Sequence, residues 1–233
     1  MQTAMHQAIK GIERTQHKAK YPIFYDIKPL LQLAFPNSPT QAKIPKVDQL
    51  ILQLRLTTLM RSIEVANITW ALYTMDDKYY IKTVNKQGQP TSFNVQGKTL
   101  SNLINYIHDH LQYPAPFLIR DTQHKHKCLG AERIAKRTLQ VMQRQGINVN
   151  TFKAHSIRGA TATHMLKKGV PQTLVQARGG WSTTATMDQY YSRLHQQTDW
   201  EDQLLGEDAG KRLSANCAVS STKVSIPEPT KAR

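Results

Sequence analysis

Residues 155–194 read "HSIRGATATHMLKKGVPQTLVQARGGWSTTATMDQYYSRL". His155 and Arg158 stand three positions apart, a spacing that puts both on one face of a helix. A proton-exchanging imidazole beside a fixed guanidinium suits the oxygens of a phosphodiester. The first helix is expected to end near Gly169; Pro171 then opens a second, which Gly179-Gly180 closes. Trp181 comes directly after, and the Tyr190-Tyr191 doublet about three helical turns later.

Charge supports a polyanionic partner. The chain of 233 residues carries 31 Lys+Arg against 16 Asp+Glu, a net +15. From residue 201 onward there are five acids and five bases, so the excess belongs to the first 200 residues rather than to a basic tail. Such a surplus points to nucleic acid. Two cysteines, Cys128 and Cys217, lie far apart and fit a reducing compartment. No apolar run approaches the ~20 residues needed to span a bilayer, and the first twenty residues lack a signal-type hydrophobic stretch. The expectation is a soluble intracellular protein that binds nucleic acid and no membrane.

Working outward from 155–194, the apolar spacing predicts mostly helix. A short helix is expected at "YDIKPLLQLAF", and Leu50, Ile51 and Leu54 define a buried helix from Val47 that continues toward "TTLMRSIEVANI". The segment "YYIKTVNKQGQPTSFNV" has two β-prone runs around a turn, the pattern of a hairpin. Leu100, Ile104, Ile107 and Leu111 outline another amphipathic helix. Ala131, Ile134, Ala135, Thr138, Val141 and Met142 outline the next, stopped by Gly146. The fold class is mainly α with a small antiparallel β-hairpin or sheet, α+β. Residues 1–45 read as a basic linker, 46–205 as the main folded domain, and 206–233 as a disordered tail without apolar periodicity.

Three further groups join His155, Arg158 and the tyrosines: Arg61 in "MRSIEV", Lys86 in the hairpin turn "NKQGQ", and Trp181. In this order they resemble the tyrosine recombinase, or phage integrase, family over roughly Ile9 to Leu194. Arg61 with Glu64 also fits that family's Arg-x-x-Glu signature. The resemblance implies the tyrosine recombinase catalytic-domain fold and site-specific DNA strand exchange. It also implies a 3′-phosphotyrosine intermediate with a free 5′-hydroxyl.

The residue chemistry agrees. Ionising a phenol of pKa about 10 at pH 7 costs about 4 kcal/mol, which cationic neighbours and a proton acceptor must offset. Arg61 and Arg158 would clamp the non-bridging phosphate oxygens, His155 would assist the nucleophile's proton, and Lys86 would protonate the departing 5′-oxygen. Trp181 stands where many family members have histidine; its indole donates but cannot accept, so it would hold the phosphate and pack the site. Bond energy is kept in the phosphotyrosine, so no cofactor and no metal is expected.

The family's commonest spacing, nine residues after the His/Trp position, selects Tyr190. Some mobile-element members resemble "ATMDQYYSR" more closely and use the second aromatic, which selects Tyr191. Adjacent helical residues point about 100° apart, so only one faces the phosphate; our reading takes Tyr191, with Tyr190 as the alternative. Lys82 is the other hairpin lysine, but period-two alternation places it within the strand. His124, His126 and Cys128 in "HKHKC" lack a structural zinc spacing, and His164, His108 and His110 are expected on helix surfaces.

Family members usually carry a core-binding domain before the catalytic one, whereas this chain is expected to begin in the linker. By the same kinship it would be a monomer without DNA and a homo-tetramer on paired sites, with "HQQTDWEDQLLG" as the exchanged segment and Trp200, Leu204 and Leu205 docking it. Two other functions share these residues: a DNA-binding protein that keeps the fold without the chemistry, and DNA relaxation of the type IB topoisomerase kind.

Overall fold

The computed structural model describes residues 25–187, apart from 39–43, 113–114, 122, 125 and 186. Tyr190, Tyr191, Trp200, Leu204, Leu205, Cys217 and the tail 206–233 lie outside the described residues.

Within the 1–45 segment, α1 (Lys28–Ala34) forms with a proline in its first turn, where a missing N–H costs nothing. Ile27, Leu30 and Ala34 are buried with Leu52, Leu56, Met142 and Ile157, so this segment shares a core with later helices. The central element is α2 (Lys46–Thr58), ten of whose thirteen residues are buried. Leu50, Ile51 and Leu54 enter one apolar cluster, while Leu52 and Leu56 enter the other.

The expected continuation of α2 through Arg61 does not occur. The hydroxyls of Thr57 and Thr58 donate back to the Gln53 and Leu54 carbonyls at 2.8 and 2.5 Å, a local bonding that competes with helix propagation. Leu59 then adopts the left-handed conformation (φ 59°, ψ 25°), and a second helix, α3 (Ser62–Ala66), starts beyond it. Left-handed backbone costs a non-glycine residue roughly 1–2 kcal/mol. Leu59 sits there fully buried beside Trp181 and Val175.

The hairpin is present and gains a partner. Strands β1 (Leu72–Met75), β2 (Lys78–Val84) and β3 (Pro90–Val95) form an antiparallel sheet in sequence order. Between β1 and β2, Asp76 and Asp77 both take positive φ (50° and 56°), the two-residue turn whose twist matches a hairpin. At the β2–β3 turn, Asn85 Oδ1 accepts bonds from the Gln87 and Gln89 amides, both 2.9 Å. Ile81, Thr83 and Val95 face inward, and Thr83 Oγ1 donates to the Glu64 carbonyl, fastening the sheet to α3.

The helix α4 (Gly97–His110) is amphipathic, but its buried stripe is rotated from the one expected. Thr99, Leu103 and Tyr106 are buried and Leu100 and Ile107 partly so, whereas Ile104 is 44% and Leu111 65% exposed. Tyr106 takes the central position because its hydroxyl has an interior partner, the Arg120 amide, at 2.9 Å. The next helix, α5 (Ala131–Arg144), buries Ile134, Thr138, Val141 and Met142 as its spacing predicts, and Gly146 comes after it at φ 75°. Then come α6 (Ser156–Lys167) and α7 (Gln172–Gly179), the latter preceded by Pro171 and closed by left-handed Gly180. Among the described residues no helix is long and apolar enough to cross a membrane.

Candidate active site

The break at Leu59 decides where Arg61 points. Arg61 is the residue that caps α3, with extended backbone (φ −76°, ψ 158°). Glu64, one turn on, accepts from the Arg61 amide at 2.6 Å and from Arg61 Nη1 at 2.8 Å. Glu64 is almost fully buried, while the Arg61 side chain is 38% exposed. The carboxylate thus anchors one edge of the guanidinium and leaves a cation at the surface.

Arg61 and Glu64 line a cleft of about 570 Å³. Asn85, Ser92 and Asn94 of the hairpin, the apolar Met165, Val170 and Leu174, and Arg178, Gly179 and Gly180 also line it. Arg178 donates Nε to the Thr57 carbonyl and Nη2 to the Asn94 carbonyl at 3.3 Å. It thereby ties α7 to the end of α2 and to β3. Burial holds its pKa below the ordinary arginine value.

Arg158 is 1% exposed and bonds to Gly179, one of the residues that line this cleft. Its Nη1 donates to the Leu59 carbonyl at 2.8 Å and its Nη2 to the Gly179 carbonyl. The guanidinium carbon stands 4.4 Å from the centre of the Trp181 ring, a stacked cation–π arrangement. Both Arg158 and Trp181 are therefore interior groups here, and Trp181 packs with Leu59, Ala162, Val175 and Met187. The Trp181 ring also presses on Gly179, where any Cβ would collide with it.

His155 is half-buried at the start of α6, and its carbonyl accepts the Arg158 amide at 3.2 Å. Lys86 is exposed in the β2–β3 turn, next to the cleft-lining Asn85, and makes no bond with other described residues. Lys82 lies over the Tyr73 ring at 4.9 Å, and Tyr73 stacks on Tyr80. His124 and His126 have ring centres 6.1 Å apart, and among the described residues no group of three or more His, Cys, Asp or Glu could hold a metal. His108 is exposed as expected, but His164 is half-buried, as is His110, which stacks on Tyr106.

Two arginines escape a reading by motif. Arg178 adjoins the glycine pair with no pattern to mark it. Arg55 carries a usable signal, a lone cation inside the apolar run "LILQLRLTTLM". It is buried, donating Nη1 to Ser62 Oγ and Thr138 Oγ1, both 3.0 Å, and Nη2 to the Ala154 carbonyl at 2.8 Å.

Comparison with known proteins identifies the family. The profile described as the phage integrase family matches residues 29–198. This chain belongs to the phage integrase family. Solved structures share its fold. XerH site-specific recombinase bound to difH substrate, in a pre-cleavage complex, is similar at a TM-score of 0.57 and 16% identity, over 88% of this chain and 56% of that one. XerA recombinase gives 0.60 and 14% over 84% of this chain and 65% of that one. The post-cleavage XerH complex on palindromic difH gives 0.55 and 18%, over 85% and 53%. The integrase-family chain thus spans between about half and two thirds of those recombinases. No curated protein sequence matches it.

Proposed function

We propose that this chain performs site-specific DNA recombination, cutting and rejoining double-stranded DNA through a 3′-phosphotyrosine. The observation that carries the reading is Arg61, held by Glu64 in a cleft that Gly179, the bonding partner of Arg158, and Asn85, the neighbour of Lys86, also line. Membership of the phage integrase family supports it.

In the proposed reaction the tyrosine oxygen attacks the scissile phosphorus as the bond to the 5′-oxygen breaks. Arg61 binds a non-bridging oxygen through the guanidinium edge that Glu64 leaves outward. Arg158 contributes positive potential and reaches a second oxygen by exchanging its Gly179 carbonyl for a phosphate, an acceptor that is itself ionised. His155 takes the phenolic proton and Lys86 protonates the leaving 5′-oxygen. Trp181 holds Arg158 by stacking. The nucleophile is Tyr191, with Tyr190 as the alternative. The chemistry needs no cofactor and no metal, because the phosphodiester energy is retained in the covalent intermediate.

The catalytic domain is assigned to 46–205, with 1–45 leading into it and 206–233 as a tail; α1 docks against it. The protein acts inside the cell, as a monomer without DNA and a homo-tetramer on paired sites.

The test is covalent trapping on nicked or supercoiled DNA without added metal, repeated with Tyr190→Phe and Tyr191→Phe. An adduct lost only in Tyr191→Phe supports the full assignment, and one lost only in Tyr190→Phe moves the nucleophile. Intact binding with no adduct from any form refutes the recombinase reading in favour of a binding protein that has kept the fold.

A further inference from the structure

The buried guanidinium of Arg55 bonds to three separate parts of the fold. Ser62 is the neighbour after Arg61, Ala154 precedes His155, and Thr138 lies on α5, so one side chain bonds to the immediate neighbours of two proposed catalytic groups. Those groups are far apart in sequence, and this one guanidinium spans the gap between their neighbours. Arg55 is 1% exposed and donates to neutral oxygens. The carboxylate of Glu64, which attracts it at longer range, is committed to Arg61, and Arg55 Nε makes no hydrogen bond among the described residues.

Taking a guanidinium out of water is costly, and apolar residues match a buried charge in stability only where its polar partners are replaced with it. Apolar clusters lie on both sides of this helix, so methionine would serve a filling role as well or better. What methionine lacks is the fixed fork of donors. From this geometry we infer that Arg55 is a positioning residue: it sets the separation of Arg61 and His155 by holding Ser62 Oγ and the Ala154 carbonyl on one guanidinium. The inference rests on the proposed function, which names those two residues as catalytic.

The experiment compares Arg55→Met, Arg55→Lys and a plain core truncation, Val141→Ala, in the full chain. Melting temperature, affinity for a DNA duplex and single-turnover cleavage of a nicked duplex at saturating protein are measured. Arg55→Met leaves the Ala154 carbonyl without its donor, so it is expected to melt below the wild type, no lower than Val141→Ala, and to bind DNA within about twofold. Its cleavage rate is expected to fall by roughly 10- to 100-fold, the scale of a misplacement near 1 Å. Arg55→Lys should recover part of that rate, and Val141→Ala should lose stability without a matching loss of rate. Wild-type cleavage by Arg55→Met, or a loss no larger than that of an equally destabilised Val141→Ala, overturns the inference. If the wild type binds DNA but never cleaves, the proposed function fails by itself. The positioning role is then read from the NMR ring signals of His155: movement in Arg55→Met but not in Val141→Ala supports it, and unmoved signals overturn it.

Discussion

The carbonyl of Leu59, a residue in left-handed backbone, lies 2.8 Å from Arg158 Nη1, 99 positions later in the chain. The bond turns a local departure from helix into a long-range clamp. One end fixes the corner that presents Arg61, and the other holds the guanidinium that also reaches the Gly179 carbonyl.

Arg158→Lys retains the charge but cannot span two carbonyls with a planar fork. It is expected to lower unfolding free energy by about 1–3 kcal/mol, the cost of a buried acceptor left unpaired. Strand cleavage should fall by about 10²- to 10³-fold. Urea unfolding and single-turnover cleavage check the two parts separately, and wild-type stability would show that the clamp contributes nothing to folding.

Gly179→Ala adds a methyl group where the Trp181 ring already sits. Overpacking of this kind costs about 1–3 kcal/mol. Because the ring stacks on Arg158, the substitution should also reduce intrinsic tryptophan fluorescence change on unfolding relative to the wild type. A fully stable alanine variant would show that the ring has room to move.

Glu64→Gln keeps the shape of the anchor and removes its charge. With the charge-assisted bond to Arg61 Nη1 weakened, stability should drop by about 1–2 kcal/mol. Cleavage should suffer more than DNA affinity, since Arg61 retains its charge but loses its orientation. Equal losses in both would argue that Arg61 only attracts DNA.

Alkaline pH provides an independent check on the interior. Burial pushes the Tyr106 phenol up to about 12 from an ordinary value near 10. A raised folded-state pKa means that the protonated form is favoured on folding. The contribution is therefore complete below pH 10 and lost as pH rises through about 12. The wild type should lose roughly 2–3 kcal/mol across that window relative to Tyr106→Phe. Parallel stability curves for the two proteins from pH 9 to 12 would contradict the burial of this hydroxyl.

DNA affinity should depend steeply on salt. With the chain's +15 carried by its first 200 residues, phosphate contacts should dominate, and log K should fall with log salt by about 0.9 per phosphate neutralised. Replacing exposed Lys86 by Gln should flatten that slope by about one. An affinity unchanged between low and moderate salt would overturn a phosphate-led interface.

Much of this molecule is legible from periodicity and punctuation. Pro171 and Gly180 bracket α7, Gly146 comes after α5, and Ile134, Thr138, Val141 and Met142 face inward as their spacing demands. The failures have physical causes. Helix propensity alone carries α2 through Leu59, because nothing local announces a left-handed leucine stabilised by a distant arginine. Strand β1 gives little signal although Asp76-Asp77 is turn chemistry, since its four residues alternate weakly in polarity. On α4 two apolar stripes compete, and the winner is chosen by the Arg120 amide that Tyr106 meets inside. At the site, Arg61 lines a cleft. Arg158 and Trp181 turn inward because two carbonyls and a stacked ring satisfy the guanidinium, a tertiary matter that spacing cannot express.

The all-round burial of α2 has a consequence for how the fold comes apart. Its side chains belong to both of the large apolar clusters, so neither cluster can open while the other stays closed around an intact helix. Partial unfolding that spares one half is thereby penalised. The backbone amides of Leu50 to Leu56 should exchange with solvent only through global opening, at rates that track the stability of the whole domain.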